Sequence, residues 1–265
     1  MLEAILYGAI QGLVEWLPVS SEAVLVMVQN MINADRSTFD AIRFALFLHL
    51  GTTISAIIYF RKEIYKLLRF GNLFTMNRNG RELYFYVIAS AISIGVAALI
   101  VILLKNTENM SETFGGIMTL VIGGLLMVTA YLQYRMGKHK TTREREELTT
   151  VDAIIAGAGQ GLAALPGISR SGTTTAFLLL RNIDQEKALV ASFIMSIPFV
   201  LIGNIVLNLN EFAWSWESAV ALVTAAVIGY ISIDAFLKFA RRYNFALVVF
   251  IFALVVVVSG VVSLV

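Results

Sequence analysis

The chain has 265 residues, of which 58% are apolar and only 14% are charged, whereas soluble domains average about 45–50% and about 25%. A soluble core of this size could not bury so much apolar surface, so the composition predicts an integral membrane protein. The absence of cysteine excludes disulfide scaffolds, thiolate metal sites and cysteine nucleophiles. The formal net charge is only +2, and no basic face accompanies a soluble module, so no nucleic-acid partner is expected.

The first stretch of the chain, residues 1–35, is expected to enter the membrane without crossing it. It is apolar, contains no Lys or Arg, and is broken in the middle by a polar turn around Pro18 and Ser20-Ser21. Because proline cannot continue a helix, the pattern predicts a re-entrant hairpin with both of its ends on the external side.

Six later segments are predicted to be full crossings. Each has nearly the length of about 20 apolar residues that one crossing needs, and none shows the strict alternation of a β-barrel strand. They are therefore predicted as transmembrane helices at residues 44–60, 83–104, 113–134, 188–210, 218–237 and 243–265.

The lysines and arginines orient these crossings. They concentrate in loops 61–82, 135–149, 181–187 and 238–242, which the positive-inside rule places in the cytoplasm. Residues 150–187 then begin and end on the cytoplasmic side, although they are apolar and broken by a turn at Pro166. This predicts a second re-entrant hairpin, which enters from the opposite face to the first.

The two hairpins resemble each other in sequence. Residues 8–13 read GAIQGL and residues 157–162 read GAGQGL, and each hairpin is followed by three crossings. We therefore predict an all-α integral membrane protein with an inverted-topology repeat, residues 1–149 and residues 150–265, within one membrane domain. Irregular backbone at membrane depth must line a protein-enclosed cavity, so the two tips are expected to meet there. Helices that begin at the tips would aim free N–H groups into it and form an anion site.

The tip of the second hairpin carries Arg170 among hydroxyl and glycine residues. The planar guanidinium matches two phosphate oxygens at once, and a charge at this depth usually has a function. Ser169, Ser171, Gly172, Thr173 and Thr174 surround it in the sequence. The alternative interpretation is a helix-packing surface with Arg170 as a structural partner of Glu15.

The first tip carries Gln11 and Glu15, which share one helical face because they are four residues apart. Glu15 could ligate a divalent cation, accept a proton from an attacking water, or merely neutralise Arg170. Glu22 follows the paired serines. His49 lies within the first crossing, where it is either a hydrogen-bonded packing residue or part of the site.

These turns resemble the signatures of the undecaprenyl-pyrophosphate phosphatase family, the integral membrane enzymes linked to bacitracin resistance. The first signature, an E/Q-x-x-x-E followed by P-V-S-S, is matched by Gln11, Glu15 and residues 18–21. The second, P-G-x-S-R-S-x-x-T, is matched by Pro166, Gly167, Ser169, Arg170, Ser171 and Thr174.

The resemblance implies a multi-pass enzyme of the plasma membrane that converts a polyprenyl diphosphate to the monophosphate and so recycles a lipid carrier. Arg170 would clamp the diphosphate, Ser169 would assist, Ser21 would act near the phosphorus, and Glu15 would activate the nucleophile or hold Mg²⁺ or Ca²⁺. No organic cofactor is expected. The further residues expected to contact substrate are Gln11, Ser20, Glu22, His49, Gly167, Ser171, Gly172, Thr173 and Thr174.

One departure from the family's sequence pattern stays open, and so do two alternatives, one about function and one about helix contacts. The family continues its first signature as S-S-T-G-H, whereas this chain has Val24 at the histidine position, so Glu22, His49 or a directly attacking water would have to substitute. Inverted repeats also occur in carriers, so a flippase or transporter of prenyl-phosphate lipid or another anion is the alternative function. Gly123-Gly124 permits close helix contact, either within one chain or between two copies in a homodimer.

Overall fold

A computed structural model describes residues 1–17, 20–32, 38–69, 78–105, 148–165, 168–208, 214–242 and 245–262, together with single positions between 117 and 134. Across these residues every regular element is helical. The ten α-helices that can be bounded there are α1 (Leu2–Val14), α2 (Ser21–Ile32), α3 (Thr38–Tyr59), α4 (Arg61–Leu68), α5 (Arg78–Lys105), α6 (Thr150–Gly161), α7 (Arg170–Leu180), α8 (Gln185–Asn208), α9 (Trp216–Arg242) and α10 (Phe245–Val262). A short 3₁₀ helix, Leu162–Ala164, follows α6.

Four of these helices are long and apolar enough to cross a membrane. They are Asp40–Tyr59 within α3, Arg78–Leu103 within α5, Gln185–Asn208, which is α8, and Trp216–Ala240 within α9. Each coincides with one predicted crossing. The crossing predicted at 243–265 is helical as α10, and that at 113–134 lies largely outside the described residues, although its described positions are helical.

Helix α4 was not predicted, because its residues were assigned to a basic cytoplasmic loop. Arg61 and Lys62 are exposed on one side of the helix, whereas Leu67 is buried on the other. The apolar residues in this run are spaced for one helical face, and that spacing outweighs its high charge.

Glycines bring α1 and α6 into close contact with two long helices. A Cβ at Gly12 would lie 2.7 Å from the backbone nitrogen of Gly229, so α1 packs directly on the backbone of α9. A Cβ at Gly161 would lie 2.6 Å from Cβ of Val96, so α6 packs on α5 in the same way. The GxxxG spacing that the two repeats share is therefore used for the same purpose in both.

The helices that follow the two turns pack back onto their partners and onto the next long helix. Helix α2 lies against α1 and α3, and α7 lies against α6 and α8. Trp16 closes the turn after α1: it is 1% exposed, its indole N–H donates to Gly229 O at 3.0 Å, and its ring meets that of Phe193 edge-on. Trp16 is thus a packing residue.

Side-chain amides hold the first half of α3 in place. Gln29 of α2 donates to Ala41 O at 3.2 Å, and Asn204 of α8 donates to Leu46 O at 3.0 Å. Two neighbouring helices therefore fix the position of α3 in the turns that precede His49.

Two further contacts lie away from this region. Lys238 Nζ lies 2.6 Å from Asp234 Oδ2, which makes an i,i+4 ion pair on α9. A Cβ at Gly123 would meet Val257 of the same chain, whereas a Cβ at Gly124 would meet no atom of the described residues within 4 Å. The contact at Gly123 is therefore made within one chain, and the homodimer stays a prediction.

Candidate active site

The carboxylate of Glu15 lies at the centre of a buried polar cluster. Glu15 follows the last residue of α1, its backbone N–H still donates to Gln11 O, and the residue is only 5% exposed. Its Oε2 accepts hydrogen bonds of 2.8 Å from Gln11 Nε2 and 2.8 Å from Ser21 Oγ. Its Oε1 accepts a hydrogen bond from Arg170 Nη2. Both carboxylate oxygens thus accept hydrogen bonds, and the one from the guanidinium is charge-assisted.

Arg170 reaches this cluster from the start of α7. Ser169 caps that helix by accepting the backbone N–H of Gly172 at 3.1 Å, as expected of a serine at a helix N-terminus. The guanidinium side chain is 10% exposed, and its Nη1 also donates to Ser192 O at 3.4 Å. Because a guanidinium has five N–H donors, it retains donors for an anion after these two contacts.

The two turns also touch each other directly. Ser171 Oγ donates to Leu17 O at 2.8 Å and so joins the start of α7 to the end of the first turn. This contact joins two residues that are 154 positions apart in the chain, and the Arg170–Glu15 pair joins two that are 155 positions apart. The described residues that flank the two turns are therefore in contact, whereas residues 18–19 and 166–167 of the turns lie outside the described residues.

Most of the hydroxyl groups on α7 bond to the protein's own backbone. Thr173 Oγ1 donates to Ser169 O at 2.9 Å, and Thr174 Oγ1 donates to Arg170 O at 2.8 Å. Their protons are therefore used in the first turn of the helix, and only their lone pairs remain for other donors. These side chains shape the site around Arg170 and do not present free O–H groups to an anion.

The paired serines at the start of α2 have different surroundings. Ser20 Oγ accepts the backbone N–H of Ala23 at 3.2 Å and so caps α2 on an exposed side. Ser21 is buried, and its Oγ contacts both Glu15 Oε2 and His49 Nε2, the latter at 3.2 Å. Of the two serines, Ser21 is therefore the one whose hydroxyl belongs to the cluster.

His49 joins the cluster from α3. Its Nε2 lies 3.2 Å from Glu15 Oε2, and its Nδ1 is 2.7 Å from Ala45 O. The sequence left two interpretations of this residue, packing or site, and the structure places its ring against the carboxylate and the serine. The missing histidine at position 24 is thus matched by a histidine from another helix.

The remaining predicted site residues lie at the edge of the cluster or outside the residues that the structure describes. Glu22 interacts electrostatically with His49 and Glu15. Gly172 is buried at the start of α7, where its amide meets Ser169. Gly167 lies outside the described residues.

Sequence reasoning did not single out two residues at the site. Thr52 is buried and its Oγ1 lies 3.5 Å from Gln11 Nε2, while Ser192 offers its carbonyl to Arg170. For Thr52 the available signal was a polar residue in an otherwise apolar crossing, which is weak because such residues also serve helix packing. Ser192 contributes a backbone carbonyl, which residue type cannot indicate.

The arrangement can bind and react with an anion. The first residues of α2 and α7, Ser21 and Arg170, both contact the Glu15 carboxylate, and the dipoles of the two helices favour negative charge at these ends. A serine hydroxyl and a guanidinium therefore lie within the same cluster. A site of this kind is equipped to hold a phosphate group beside a hydroxyl nucleophile.

The similarity of this chain to known proteins extends over almost its entire length. The family model described as bacitracin resistance protein BacA matches residues 4–262. A protein of Haloarcula marismortui named undecaprenyl-diphosphatase is 37% identical over 98% of this chain and 97% of its own length. One of the same name from Methanococcoides burtonii is 40% identical over 92% of each chain. Undecaprenyl-diphosphatase 1 of Shouchella clausii is 31% identical over 97% of this chain and 95% of its own.

Proposed function

Because this chain belongs to the bacitracin resistance protein BacA family, we infer that it hydrolyses undecaprenyl diphosphate to the monophosphate and inorganic phosphate. Curated relatives that match nearly its full length carry the name undecaprenyl-diphosphatase. The product is the lipid carrier in a form ready for another round of glycan or peptidoglycan precursor synthesis. The protein is accordingly a multi-pass membrane hydrolase.

The single observation that carries the assignment of the site is the contact of Arg170 and Ser21 with the same carboxylate. Both side chains are held within hydrogen-bond reach of Glu15, so a guanidinium and a hydroxyl are fixed near each other. Phosphoryl transfer depends mainly on positioning and on neutralising charge. We propose that Arg170 holds the terminal phosphate through two oxygens while Ser21 Oγ faces the phosphorus.

In this mechanism Glu15 orients its partners. It keeps the guanidinium directed toward the turn and holds the Ser21 hydroxyl close to it, and Gln11 keeps Glu15 in place. Attack by Ser21 Oγ forms a phosphoserine and releases the polyprenyl monophosphate. Water then hydrolyses the phosphoserine and restores the enzyme.

We propose that Mg²⁺ or Ca²⁺ arrives bound to the diphosphate and is not held by a protein cage. Both oxygens of Glu15 already accept hydrogen bonds, and the described residues contain no group of three or more His, Asp or Glu that could hold a metal. The donor set therefore does not fit a metal centre built around Glu15. An ion carried by phosphate oxygens is the usual arrangement for Mg²⁺.

The activity is tested with purified protein in detergent. We expect it to release inorganic phosphate from farnesyl or longer polyprenyl diphosphates, assayed with Mg²⁺, with Ca²⁺ and with a chelator. Protein inactivated by heat is the control for spontaneous hydrolysis. Absence of release from every polyprenyl diphosphate under all three conditions would contradict the proposed function.

For the topology we propose six crossings and two re-entrant hairpins, related as an inverted repeat of residues 1–149 and 150–265. The lengths of the short helices support the hairpins: α1, α2, α6 and α7 have 13, 12, 12 and 11 residues. At 1.5 Å per residue each is about 20 Å long or shorter, against a hydrocarbon core of about 30 Å. The packing of α1 on α9 and of α6 on α5 supports the repeat, because each hairpin packs on the second crossing of the other half.

The natural absence of cysteine makes this topology directly testable. Single cysteines at Glu3 and Met31 are expected to react with a membrane-impermeant maleimide from the external side of the plasma membrane. Cysteines at Thr150 and Glu186 should react only after the cytoplasmic side is opened. If the two ends of either hairpin were labelled from opposite sides, that hairpin would be a crossing and the proposed repeat would be wrong.

A further inference from the structure

We propose that His49 is the general base that takes the proton from Ser21, so that α3 supplies a function that position 24 does not. This proposal rests on the phosphatase function above and adds a catalytic residue to it. The motif residue Val24 has no titratable group, whereas His49 Nε2 lies 3.2 Å from Ser21 Oγ. Histidine is the residue most often used for such a transfer.

The hydrogen bond at the other ring nitrogen determines the tautomer of His49. Nδ1 lies 2.7 Å from Ala45 O, and a backbone carbonyl can only accept a hydrogen bond. Nδ1 must therefore carry a hydrogen. In the neutral ring the lone pair is then on Nε2, which is the atom that faces the serine hydroxyl.

Glu15 is less suited to act as the base itself. Its Oε1 accepts from the Arg170 guanidinium, and its Oε2 accepts from both Gln11 and Ser21, so its charge is already shared among three donors. For the proton transfer, the Ser21 hydroxyl turns from Glu15 Oε2 to His49 Nε2, which lies 3.2 Å from Oγ.

Glu15 is well placed, however, to stabilise a protonated His49, because Oε2 lies 3.2 Å from Nε2. The serine and the carboxylate thus both meet His49 at Nε2, and Ala45 O orients the ring from Nδ1. A nucleophile beside a base that a third group orients is the general pattern of an activated serine.

The fold holds His49 rigidly enough for this role. Its side chain is 12% exposed, and the preceding turns of α3 are anchored by Gln29 through Ala41 O and by Asn204 through Leu46 O. Ser21 begins α2, which packs along α3. The distance between Ser21 and His49 is therefore set by the contact of these two helices.

The protons and bonds balance as follows. The O–H bond of Ser21 breaks, its proton moves to Nε2 of His49, and Oγ bonds to the terminal phosphorus while the bridging P–O bond breaks. The bridging oxygen leaves with the electron pair of that bond and takes the proton from His49, which gives the polyprenyl monophosphate. His49 then takes a proton from the water that attacks the phosphoserine, and returns it to Ser21 Oγ as inorganic phosphate leaves.

The test compares His49→Asn and His49→Gln with the unmodified protein. Asparagine retains a donor near Ala45 O, and glutamine retains a polar atom near Ser21, but neither can act as a base. We expect kcat for a polyprenyl diphosphate to fall about 10²- to 10⁴-fold. KM, and the binding of a methylene-bridged diphosphate analogue, should change less than about threefold. Exogenous imidazole should restore part of the activity of His49→Ala.

Tyr59→Phe is the matched control, because Tyr59 lies on the same helix as His49 and donates its hydroxyl to Asp234 Oδ1 at 3.0 Å, away from the reacting atoms. It should retain kcat within about fivefold. If either His49 variant binds the analogue normally and keeps kcat within fivefold, His49 is a packing residue and the proposal is wrong. The proposal is equally wrong if Tyr59→Phe lowers kcat as much as the His49 variants, since the effect would then come from a general disturbance of α3. An inactive unmodified protein would instead reject the phosphatase function itself.

Discussion

Replacing Arg170 by lysine is expected to lower kcat/KM for a polyprenyl diphosphate by about 10²- to 10³-fold. Lysine keeps the positive charge, so Glu15 is not left as an unpaired buried charge and the fold should persist. Lysine lacks the coplanar N–H donors of the guanidinium, two of which can bind phosphate oxygens while a third donates to Glu15. Phosphate release from detergent-solubilised protein, with size-exclusion chromatography to confirm folding, measures the effect.

Arg181→Lys is the matched control for this change. Arg181 lies at the other end of the same helix, α7, and its Nε donates to Asp152 Oδ1 at 2.7 Å. Both substitutions thus exchange an arginine that is paired with a carboxylate, but only Arg170 lies at the cluster. Near-normal kcat/KM in Arg170→Lys, or an equal loss in both variants, would show that Arg170 does not clamp the substrate.

Replacing Ser21 by alanine is expected to lower kcat by at least about 10³-fold, because it removes the proposed nucleophile. Analogue binding should change little, since Arg170 and the two helix N-termini remain. Rapid acid quenching of the unmodified protein during turnover should trap phosphate on Ser21. Mass spectrometry of the peptide that contains Ser21 provides the measurement.

Ser20→Ala is the control within the same pair of serines. The Ser20 hydroxyl caps α2 through Ala23 N, so its loss should cost about 1 kcal/mol of stability and leave kcat nearly unchanged. If Ser21→Ala retains full activity, a directly attacking water replaces the serine in the mechanism. The His49 proposal would then fail with it, because His49 would have no serine proton to accept.

The flippase alternative from the sequence stays a hypothesis, and the same variants examine it. Reconstituted vesicles would show movement of labelled prenyl phosphate between leaflets if the protein transports lipid. Arg170→Lys should impair both activities if they use one site. Ser21→Ala should impair hydrolysis alone.

Much of this protein could be predicted from local sequence properties. The excess of apolar residues requires lipid as the solvent, and long uncharged segments between basic loops predict helices and their orientation. The predicted helices at α3, α5, α8 and α9 are confirmed as long, apolar helices. The two broken stretches, with Arg170 in one and Glu15 in the other, indicated which residues would meet, because a buried charge needs a partner of opposite sign.

Which atoms are in contact within the site was decided only by the tertiary structure. His49 is 28 positions from Ser21, and the polar residues of α3 are spread around the helix, so they do not indicate which side of it faces the turn. The packing of α2 and α8 on α3 decides that orientation.

The hydroxyls of α7 show the reverse case: residue type suggested anion ligands, but Thr173 and Thr174 donate to their own helix backbone instead. Composition and spacing thus determine which segments enter the membrane and where the chemistry is concentrated. The rotation of each helix about its axis depends on contacts with distant segments, and it determines which side chains take part.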